Sequence, residues 1–182
     1  HYRLRVISSS PVITSNPNVS DLTINVSPIP PVLVSATPDT ICAGTSSNLN
    51  ATSAGNSIRW YTTGIGGTPV GTSASGANFS VTPASTTTYY AEALNGAGCP
   101  SPARTIVMVT VNPIPTITST TPGSVCGSGT VTLAAASSAG IINWFSTASG
   151  GVVIGTGISF STPIITLNTT YYVNATENSC TT

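Results

Sequence analysis

The stretch Cys42–Trp60, CAGTSSNLNATSAGNSIRW, decides the fold of this chain, because the sequence uses its pattern twice. Its cysteine, leucine and tryptophan recur 84 positions later within Cys126–Trp144, CGSGTVTLAAASSAGIINW. Other repeated positions follow in the same order: Gly66-Gly67 with Gly150-Gly151, Gly71 with Gly155, Thr88-Tyr89-Tyr90 with Thr170-Tyr171-Tyr172, and Cys99 with Cys180. An internal period of this kind indicates one structural module used repeatedly, which makes spacing, presenting or adhering the default function.

The strand signals around this stretch are short, rich in β-branched residues and bounded by Gly, Pro, Asn or Ser. No segment has helical periodicity, and several short strands in one period predict an antiparallel β-sandwich. The strands predicted for the first complete period are Val32–Ser35, Ser47–Thr52, Ile58–Tyr61, Thr68–Gly71, Asn78–Val81, Thr87–Leu94 and Arg104–Val111.

Alternation along these strands predicts which side chains face the core. A tryptophan on a middle strand facing a tyrosine on a late strand is typical of an immunoglobulin-like core. The predicted inward residues are Ile58 with Trp60 and Tyr89 with Ala91 and Ala93, and, in the second period, Ile142 with Trp144 and Tyr171 with Val173 and Ala175. The predicted fold class is therefore all-β, with tandem immunoglobulin-like antiparallel β-sandwiches.

Proline-rich joints set the predicted module boundaries. Val107–Pro115 has the same form as Leu22–Pro30, so each marks the last strand of a module and the joint after it. We predict that residues 1–30 are the last two strands of a preceding module plus a linker, that residues 31–115 are a complete module, and that residues 116–182 are a second module without its final strand. Because proline restricts the backbone, the joints are expected to be semi-rigid and a stack of modules to form a rod.

The composition excludes several classes of partner. Only eight of the 182 residues are charged, none is lysine and the net charge is zero, whereas an ordinary domain has about 25% charged residues. Four arginines cannot form a basic patch, so we expect no nucleic-acid partner. No apolar run approaches the roughly 18 residues of a membrane span, so no direct membrane insertion is expected. The 57 Ser and Thr residues provide a hydrated, uncharged surface instead.

The inventory of ionisable side chains predicts no catalytic site. The single histidine is His1, and the four acids, Asp21, Asp39, Glu92 and Glu177, are spread over three predicted modules. A catalytic nucleophile needs an adjacent base, and a glycosidase needs two neighbouring carboxylates. Calcium likewise requires several oxygen ligands that include carboxylates. We therefore expect a non-enzymatic protein with no metal and no cofactor.

The four cysteines occupy equivalent positions in the two periods, which predicts disulfides and an oxidising compartment. Four cysteines allow three pairings, and the repeat favours one bridge inside each module, Cys42–Cys99 and Cys126–Cys180. Reduced, buried thiols are the alternative. A bridge closing a loop of this length would stabilise its module by roughly 4 kcal/mol.

Four aromatic side chains are predicted to point away from the cores: Tyr61, Tyr90, Phe145 and Tyr172. Outward aromatic rings can stack on sugars, which makes these residues candidates for carbohydrate binding. The alternative is ordinary cross-strand packing on a half-exposed sheet.

The repeated pattern Cys-x6-Leu-x10-Trp is carried by Cys42, Leu49 and Trp60 and by their counterparts, and Gly-Gly, Val-Gly or Ile-Gly, Thr-Tyr-Tyr and a closing Cys follow it. With these residues the modules resemble the immunoglobulin-like repeats of giant Bacteroidota cell-surface proteins, including gliding-motility adhesins exported by type IX secretion. The opening Tyr2–Val6 with Ser8–Pro11 resembles the end of another module type in such proteins. The resemblance covers essentially the whole chain.

The resemblance implies export to the cell exterior, anchoring by a C-terminal domain outside this sequence, and duty in adhesion or as a stalk. It also implies one modification. Asp39-Thr40-Ile41 matches the Asp-Ser/Thr-apolar pattern of Bacteroidota O-glycosylation, whereas Gly123-Ser124-Val125 at the same place in the second module lacks the acid. Thr40 is therefore the glycosylation candidate.

The expected function is a non-catalytic stalk or adhesion section of a long secreted or cell-surface repeat protein. Its expected partners are the neighbouring modules of the same chain, with surface polysaccharide or other cell-surface proteins as further candidates. One alternative is a carbohydrate-binding repeat that uses the outward aromatics. Another is a head-to-tail filament subunit in which residues 1–27 donate the strand that the last module lacks. An accessory domain of an enzyme is a further hypothesis.

Overall fold

The computed structural model describes residues 25–182, and the expected end of a preceding module in residues 1–24 lies outside them. The described part is all-β. Its strands are β1 (Val32–Thr37), β2 (Thr40–Cys42), β3 (Ser47–Thr52), β4 (Ser57–Tyr61), β5 (Gly71–Ala74), β6 (Phe79–Val81), β7 (Thr87–Leu94), β8 (Thr105–Asn112), β9 (Ile117–Thr121), β10 (Thr132–Ser137), β11 (Ile141–Phe145), β12 (Gly155–Thr156), β13 (Ser159–Ser161), β14 (Tyr172–Glu177) and β15 (Cys180–Thr181). None of the described residues forms a helix that could cross a membrane.

The first repeat, β1 to β8, consists of a three-stranded sheet in the order β1-β3-β6 and a five-stranded sheet in the order β2-β8-β7-β4-β5. Trp60 of β4 stacks on Phe79 of β6, with ring centroids 6.3 Å apart and planes within 9°. The indole also donates a hydrogen bond to the Ser73 hydroxyl at 3.1 Å. The tryptophan thus connects the two sheets of a sandwich, as the immunoglobulin-like pattern predicts.

The second repeat, β9 to β15, has the sheets β13-β10-β9 and β12-β11-β14-β15. Side chains from both sheets form one core around Trp144, which stacks on Phe160 of β13 with centroids 5.5 Å apart. The Phe160 ring in turn packs against the Tyr171 ring, with centroids 5.4 Å apart. The inward positions predicted from alternation are confirmed, because Ile58, Trp60, Tyr89, Ala91, Ala93, Ile142, Trp144 and Ala175 are buried and Tyr171 and Val173 pack against the second core.

Two predicted strand assignments need correction. The strand expected at Thr68–Gly71 begins only at Gly71, because a turn occupies the preceding residues: Gly66 and Gly67 both have positive φ, and the Thr63 hydroxyl donates to the Gly66 carbonyl at 3.1 Å. The prediction also missed β2, a three-residue strand that pairs parallel to β8. Every other strand pair whose register is resolved in the described residues is antiparallel.

The repeated glycines Gly71 and Gly155 are explained by close approach to an aromatic ring. A methyl group at Gly71 would collide with the Phe79 ring, and one at Gly155 would collide with Phe160. These rings are the ones that stack on the two core tryptophans. Glycine is therefore required where β5 and β12 pass under the core aromatics.

The chain divides into two compact units that do not follow the repeat. The first unit contains Leu49–Phe79 and Tyr89–Val107 with the described residues up to Ser35. The second unit contains Ala36–Asn48, Ser80–Thr88 and Met108–Thr182. It therefore combines the whole second repeat with those parts of the first repeat that lie near the linker. The predicted module boundaries at residues 30 and 115 stay a prediction.

Candidate functional site

The segment where the chain passes from the first repeat to the second is held on both sides. On one side β2 lies parallel to the end of β8, with Cys42 opposite Asn112, and the Ala43 amide donates to the Asn112 carbonyl at 2.9 Å. On the other side the Thr116 amide donates to the Ser138 hydroxyl at 2.9 Å. Only Pro113-Ile114-Pro115 lies between these anchors, so the peptide connection is short and conformationally restricted.

A disulfide between Cys42 and Cys180 spans the same segment, with the two Cα atoms 5.6 Å apart. Cys180 opens β15 after a turn in which Asn178 and Ser179 both have positive φ, and its side chain is buried. The Asn112 side-chain amide donates to the Asn178 carbonyl at 3.5 Å. We call the linker with Cys42, Asn112 and Asn178–Cys180 the bridged joint.

The structure contradicts the predicted pairings Cys42–Cys99 and Cys126–Cys180. Cys42 is level with Asn112 at the C-terminal end of β8, whereas Cys99 lies in the hairpin loop before the N-terminal end of that strand. A strand of eight residues is about 24 Å long, and a disulfide requires Cα atoms closer than about 7 Å. The two cysteines of the first repeat therefore lie too far apart along β8 to bond each other.

Cys99 and Cys126 are free thiols in this structure. The Cys99 amide donates to the Asn95 side chain at 2.8 Å, and its sulfur lies 3.9 Å from the Asn25 carbonyl oxygen. Cys126 is exposed in the loop between β9 and β10.

A second polar cluster forms around Arg104, which directly precedes β8. Its guanidinium lies over the Tyr61 ring, 3.4 Å from the centroid. Its Nε pairs with Glu92 Oε1 at 3.1 Å, and its Nη1 donates to the carbonyls of Thr63 and Gly66 at 2.7 and 2.8 Å. The Tyr61 hydroxyl donates to the other Glu92 oxygen at 2.8 Å. The arginine and glutamate side chains are only 10% and 12% exposed, so this cluster is a closed structural clamp.

The clamp corrects one sequence prediction. Tyr61 is one of the four candidates for stacking on a sugar, but it is buried, with the Arg104 guanidinium over its face, so of the two readings offered for it only packing within the repeat remains. Tyr90 is half-buried opposite Tyr61 in the β4–β7 register. Alternation along the strands does not single out Arg104, although an arginine and a glutamate only 12 positions apart in such a charge-poor chain are a usable signal.

In the second repeat the corresponding surface is an open groove. Phe145 and Tyr172 lie opposite each other on β11 and β14 and line a groove of about 770 Å³ with Gly150, Asn174 and Pro115. The repeat places Phe145 at the position of Tyr61 and Asn174 at the position of Glu92. Tyr172 is 39% exposed, whereas Phe145 and Tyr90 are half-buried and Tyr61 is buried, so Tyr172 is the predicted aromatic most available to a ligand.

Thr40 is exposed on β2 beside exposed Asp39. Its backbone lies in register with Thr110 of β8. The hydroxyl is therefore accessible to a modifying enzyme, and glycosylation of Thr40 stays a prediction.

The described residues offer little acid–base chemistry. No group of three or more His, Cys, Asp or Glu in residues 25–182 could hold a metal ion. Glu92 is committed to the clamp, and one buried oxygen of Glu177 has no hydrogen-bond partner. Burial raises the pKa of Tyr89, which disfavours ionisation of this core side chain. His1 and Asp21 lie outside the described residues.

Comparison with solved structures finds a match to the human OSCAR ligand-binding domain, at 17% identity over 86% of this chain and 95% of that one, with a TM-score of 0.37. At this level the likeness carries no argument. No curated protein matches the chain significantly. The family described as "Ig-like domain CHU_C associated" matches residues 28–113 and again residues 114–182. This confirms the resemblance to Bacteroidota Ig-like repeats. The chain thus belongs to the CHU_C-associated Ig-like domain family and contains two successive copies of its domain.

Proposed function

We propose that this chain is a non-catalytic stalk section of a long cell-surface protein, in which Ig-like repeats hold a distal part of the molecule away from the cell. The observation that carries the proposal is the Cys42–Cys180 disulfide across the joint between the repeats. A bridge within one repeat would mainly protect that repeat against unfolding. A bridge between repeats fixes how one repeat follows the next.

The joint has two covalent connections side by side, which is why we assign it a mechanical role. One is the linker Pro113-Ile114-Pro115 and the other is the disulfide. A single peptide connection is a hinge, whereas two connections at different points oppose bending. Bending would also have to separate the end of the first repeat from the second repeat, which belong to one compact unit.

The proposed setting is extracellular. Disulfides persist in oxidising compartments, and Ig-like domains with a disulfide are typical of secreted proteins. The family context supports a Bacteroidota adhesin of the gliding-motility type, exported by type IX secretion, as the finer form of the proposal. We further propose that Thr40 carries an O-glycan, which would hydrate an uncharged surface next to the bridged joint.

Single-molecule stretching of the full chain tests the mechanical role. The bridge closes a loop of 138 positions, so those residues cannot extend while it is intact. Reduction should lengthen the fully stretched chain by about 470 Å, at roughly 3.4 Å per residue. The double variant Cys99→Ser/Cys126→Ser is the matched control and should show the same reduction-dependent gain. Equal lengths with and without reductant would refute a mechanical role for the bridge.

Carbohydrate binding is the second candidate, and the Phe145–Tyr172 groove is the observation that favours it. The test is binding of soluble polysaccharides to Tyr172→Ala. Tyr90→Ala is the matched control, because Tyr90 occupies the equivalent position beside the arginine clamp of the first repeat. Binding that survives Tyr172→Ala would exclude this groove. The head-to-tail filament through residues 1–27 also stays a proposal, and a strictly monomeric light-scattering profile over a concentration series would exclude it.

A further inference from the structure

We infer that Cys99 and Cys126 are the two halves of further bridged joints, Cys99 bonding the repeat that precedes it and Cys126 the repeat that follows. The inference rests on the proposed function only in requiring successive repeats of this family. It extends the observed bridge by the internal symmetry of the chain: Cys126 is the counterpart of Cys42, and Cys99 is the counterpart of Cys180.

Cys99 occupies the place in the first repeat that Cys180 occupies in the second. Each cysteine comes directly after the turn that follows a long strand, β7 in the first repeat and β14 in the second. The residue after each cysteine pairs back with that strand: Pro100 with Leu94 in the first repeat and Thr181 with Thr176 in the second. Gly98 directly before Cys99 has positive φ, as does Ser179 directly before Cys180. The two cysteines thus occupy corresponding places in their hairpins.

The surroundings of Cys99 supply an independent observation. Its sulfur lies 3.9 Å from the carbonyl oxygen of Asn25, and the Asn95 side chain donates to the Val26 carbonyl at 2.8 Å. Residues 25–26 lead into the first repeat as Thr110-Val111 lead into the second, 85 positions later. The free sulfur therefore faces the incoming chain, at the point where Cys180 meets the end of β8.

Cys126 occupies the place of Cys42 at the other end. Cys42 comes five positions after the last residue of β1, and Cys126 comes five positions after the last residue of β9. Cys126 is exposed, whereas bonded Cys42 is half-buried. An exposed sulfur at this position is accessible to the hairpin cysteine of a following repeat.

The chemistry is disulfide formation between one thiol from each repeat. Two S–H bonds break, one S–S bond forms, and two protons and two electrons pass to a disulfide oxidant, which is reduced to two thiols. The sequence contains no fifth cysteine. In the observed bridge, Cys42 of one repeat bonds the hairpin cysteine of the next repeat. By the same pairing, Cys126 would bond a cysteine at the Cys99 position of another repeat.

The test uses two full-length variants that each keep one free thiol. Cys99→Ser retains Cys126 and Cys126→Ser retains Cys99, and each carries a different affinity tag. The variants are oxidised together and separately in a glutathione redox buffer, and cross-linked species are quantified by non-reducing electrophoresis and identified by peptide mapping. The double variant Cys99→Ser/Cys126→Ser is the control and should stay monomeric.

We expect the mixed Cys126–Cys99 dimer to exceed either self-dimer by about tenfold, which corresponds to a preference of 1.4 kcal/mol. Mixed and self-dimers in statistical proportion would overturn the inference, because random oxidation needs no complementary ends. Absence of any cross-link would overturn it as well. If the peptide maps still contain the Cys42–Cys180 bridge, either of these results would overturn only the inference about Cys99 and Cys126 and would leave the stalk proposal intact. Failure of the inference and failure of the proposed function are therefore distinguishable.

Discussion

Removing the bridge between the repeats should destabilise the chain far more than removing the two free thiols. The perturbation is the double variant Cys42→Ser/Cys180→Ser, which avoids leaving a single thiol that could exchange. In the chain-entropy description a cross-link restricts the unfolded state by an amount that grows with the logarithm of loop length. The loop here spans 138 positions, which gives about 5 kcal/mol for complete unfolding.

The expected effect is nearly as large when only the second repeat unfolds. Cys42 is then held next to Asn112 by the folded first repeat, and the bridge closes a loop of roughly 70 residues from that point to Cys180, worth about 4 kcal/mol. The second repeat alone should therefore lose about 4 kcal/mol of stability in the variant. Such a loss is large for a domain whose total stability is on the order of 5–15 kcal/mol.

The assay is denaturant unfolding followed by tryptophan fluorescence. Each repeat contains one tryptophan, Trp60 or Trp144, buried in its core, so Trp60→Phe isolates the signal of the second repeat. The control Cys99→Ser/Cys126→Ser should change stability by no more than about 0.5 kcal/mol. If the control loses as much as the bridge variant, or if non-reducing peptide maps contain Cys42 joined to Cys99, the reasoning is refuted.

Substitutions at three further positions test the packing around the sites, each by the same unfolding assay. Arg104→Ala should destabilise the first repeat by about 3 kcal/mol, because it leaves the largely buried Glu92 carboxylate without its cationic partner. Arg104→Lys should recover only part of this loss, since lysine cannot reproduce the planar contact with Tyr61; a change below about 1 kcal/mol would contradict the clamp. Gly155→Ala should cost about 1–3 kcal/mol by overpacking the adjacent core ring, and an unchanged midpoint would show that the ring moves freely. Ser179→Gly should stabilise the second repeat by about 0.5 kcal/mol because the position has φ of 65°, where glycine avoids the left-handed penalty but loses more entropy on folding; destabilisation would refute this assignment of strain.

The sandwich could be predicted because its signals are local. Trp60 and its neighbours alternate between core and surface on β4, and the same holds for β7, so period-two patterning identifies both faces without knowledge of the partners. The register pairs Trp60 with Ala91 and Trp144 with Val173, which places large side chains beside smaller ones in both cores. The repeat then supplied a second, independent example of each element.

The disulfide pairing could not be predicted in the same way. A repeat identifies equivalent cysteines, but it is equally consistent with bonds inside modules and with bonds between successive modules. The deciding information was β2, which brings Cys42 to the end of β8. β2 has only three residues, which is too few to show alternation, and its parallel pairing with β8 involves no hairpin turn. The sequence pattern therefore does not predict the strand that determines the bridge.

The arginine clamp shows a different limit. Tyr61 was correctly placed on the outward face of β4, yet that face is covered because Arg104 returns over it from the start of β8. Outward direction in a strand does not establish exposure, since the next strand or its flanking residue can lie on top. The second repeat makes this visible, because its described residues place no arginine over Phe145 and leave a groove there.

The bridged joint also fits the unusual composition of the chain. Repeats that meet through ion pairs depend on ionic strength, because exposed charges are screened over roughly 10 Å in ordinary salt. This chain has eight charged residues in 182, and the contacts described at the joint are a disulfide, two prolines and amide or hydroxyl hydrogen bonds. Salt should therefore have little effect on the contacts at the joint, whereas a reductant breaks the disulfide, which is the only covalent connection described there besides the peptide chain. We therefore expect the joint to be insensitive to ionic strength and sensitive to reductant, which suits the extracellular stalk role proposed above.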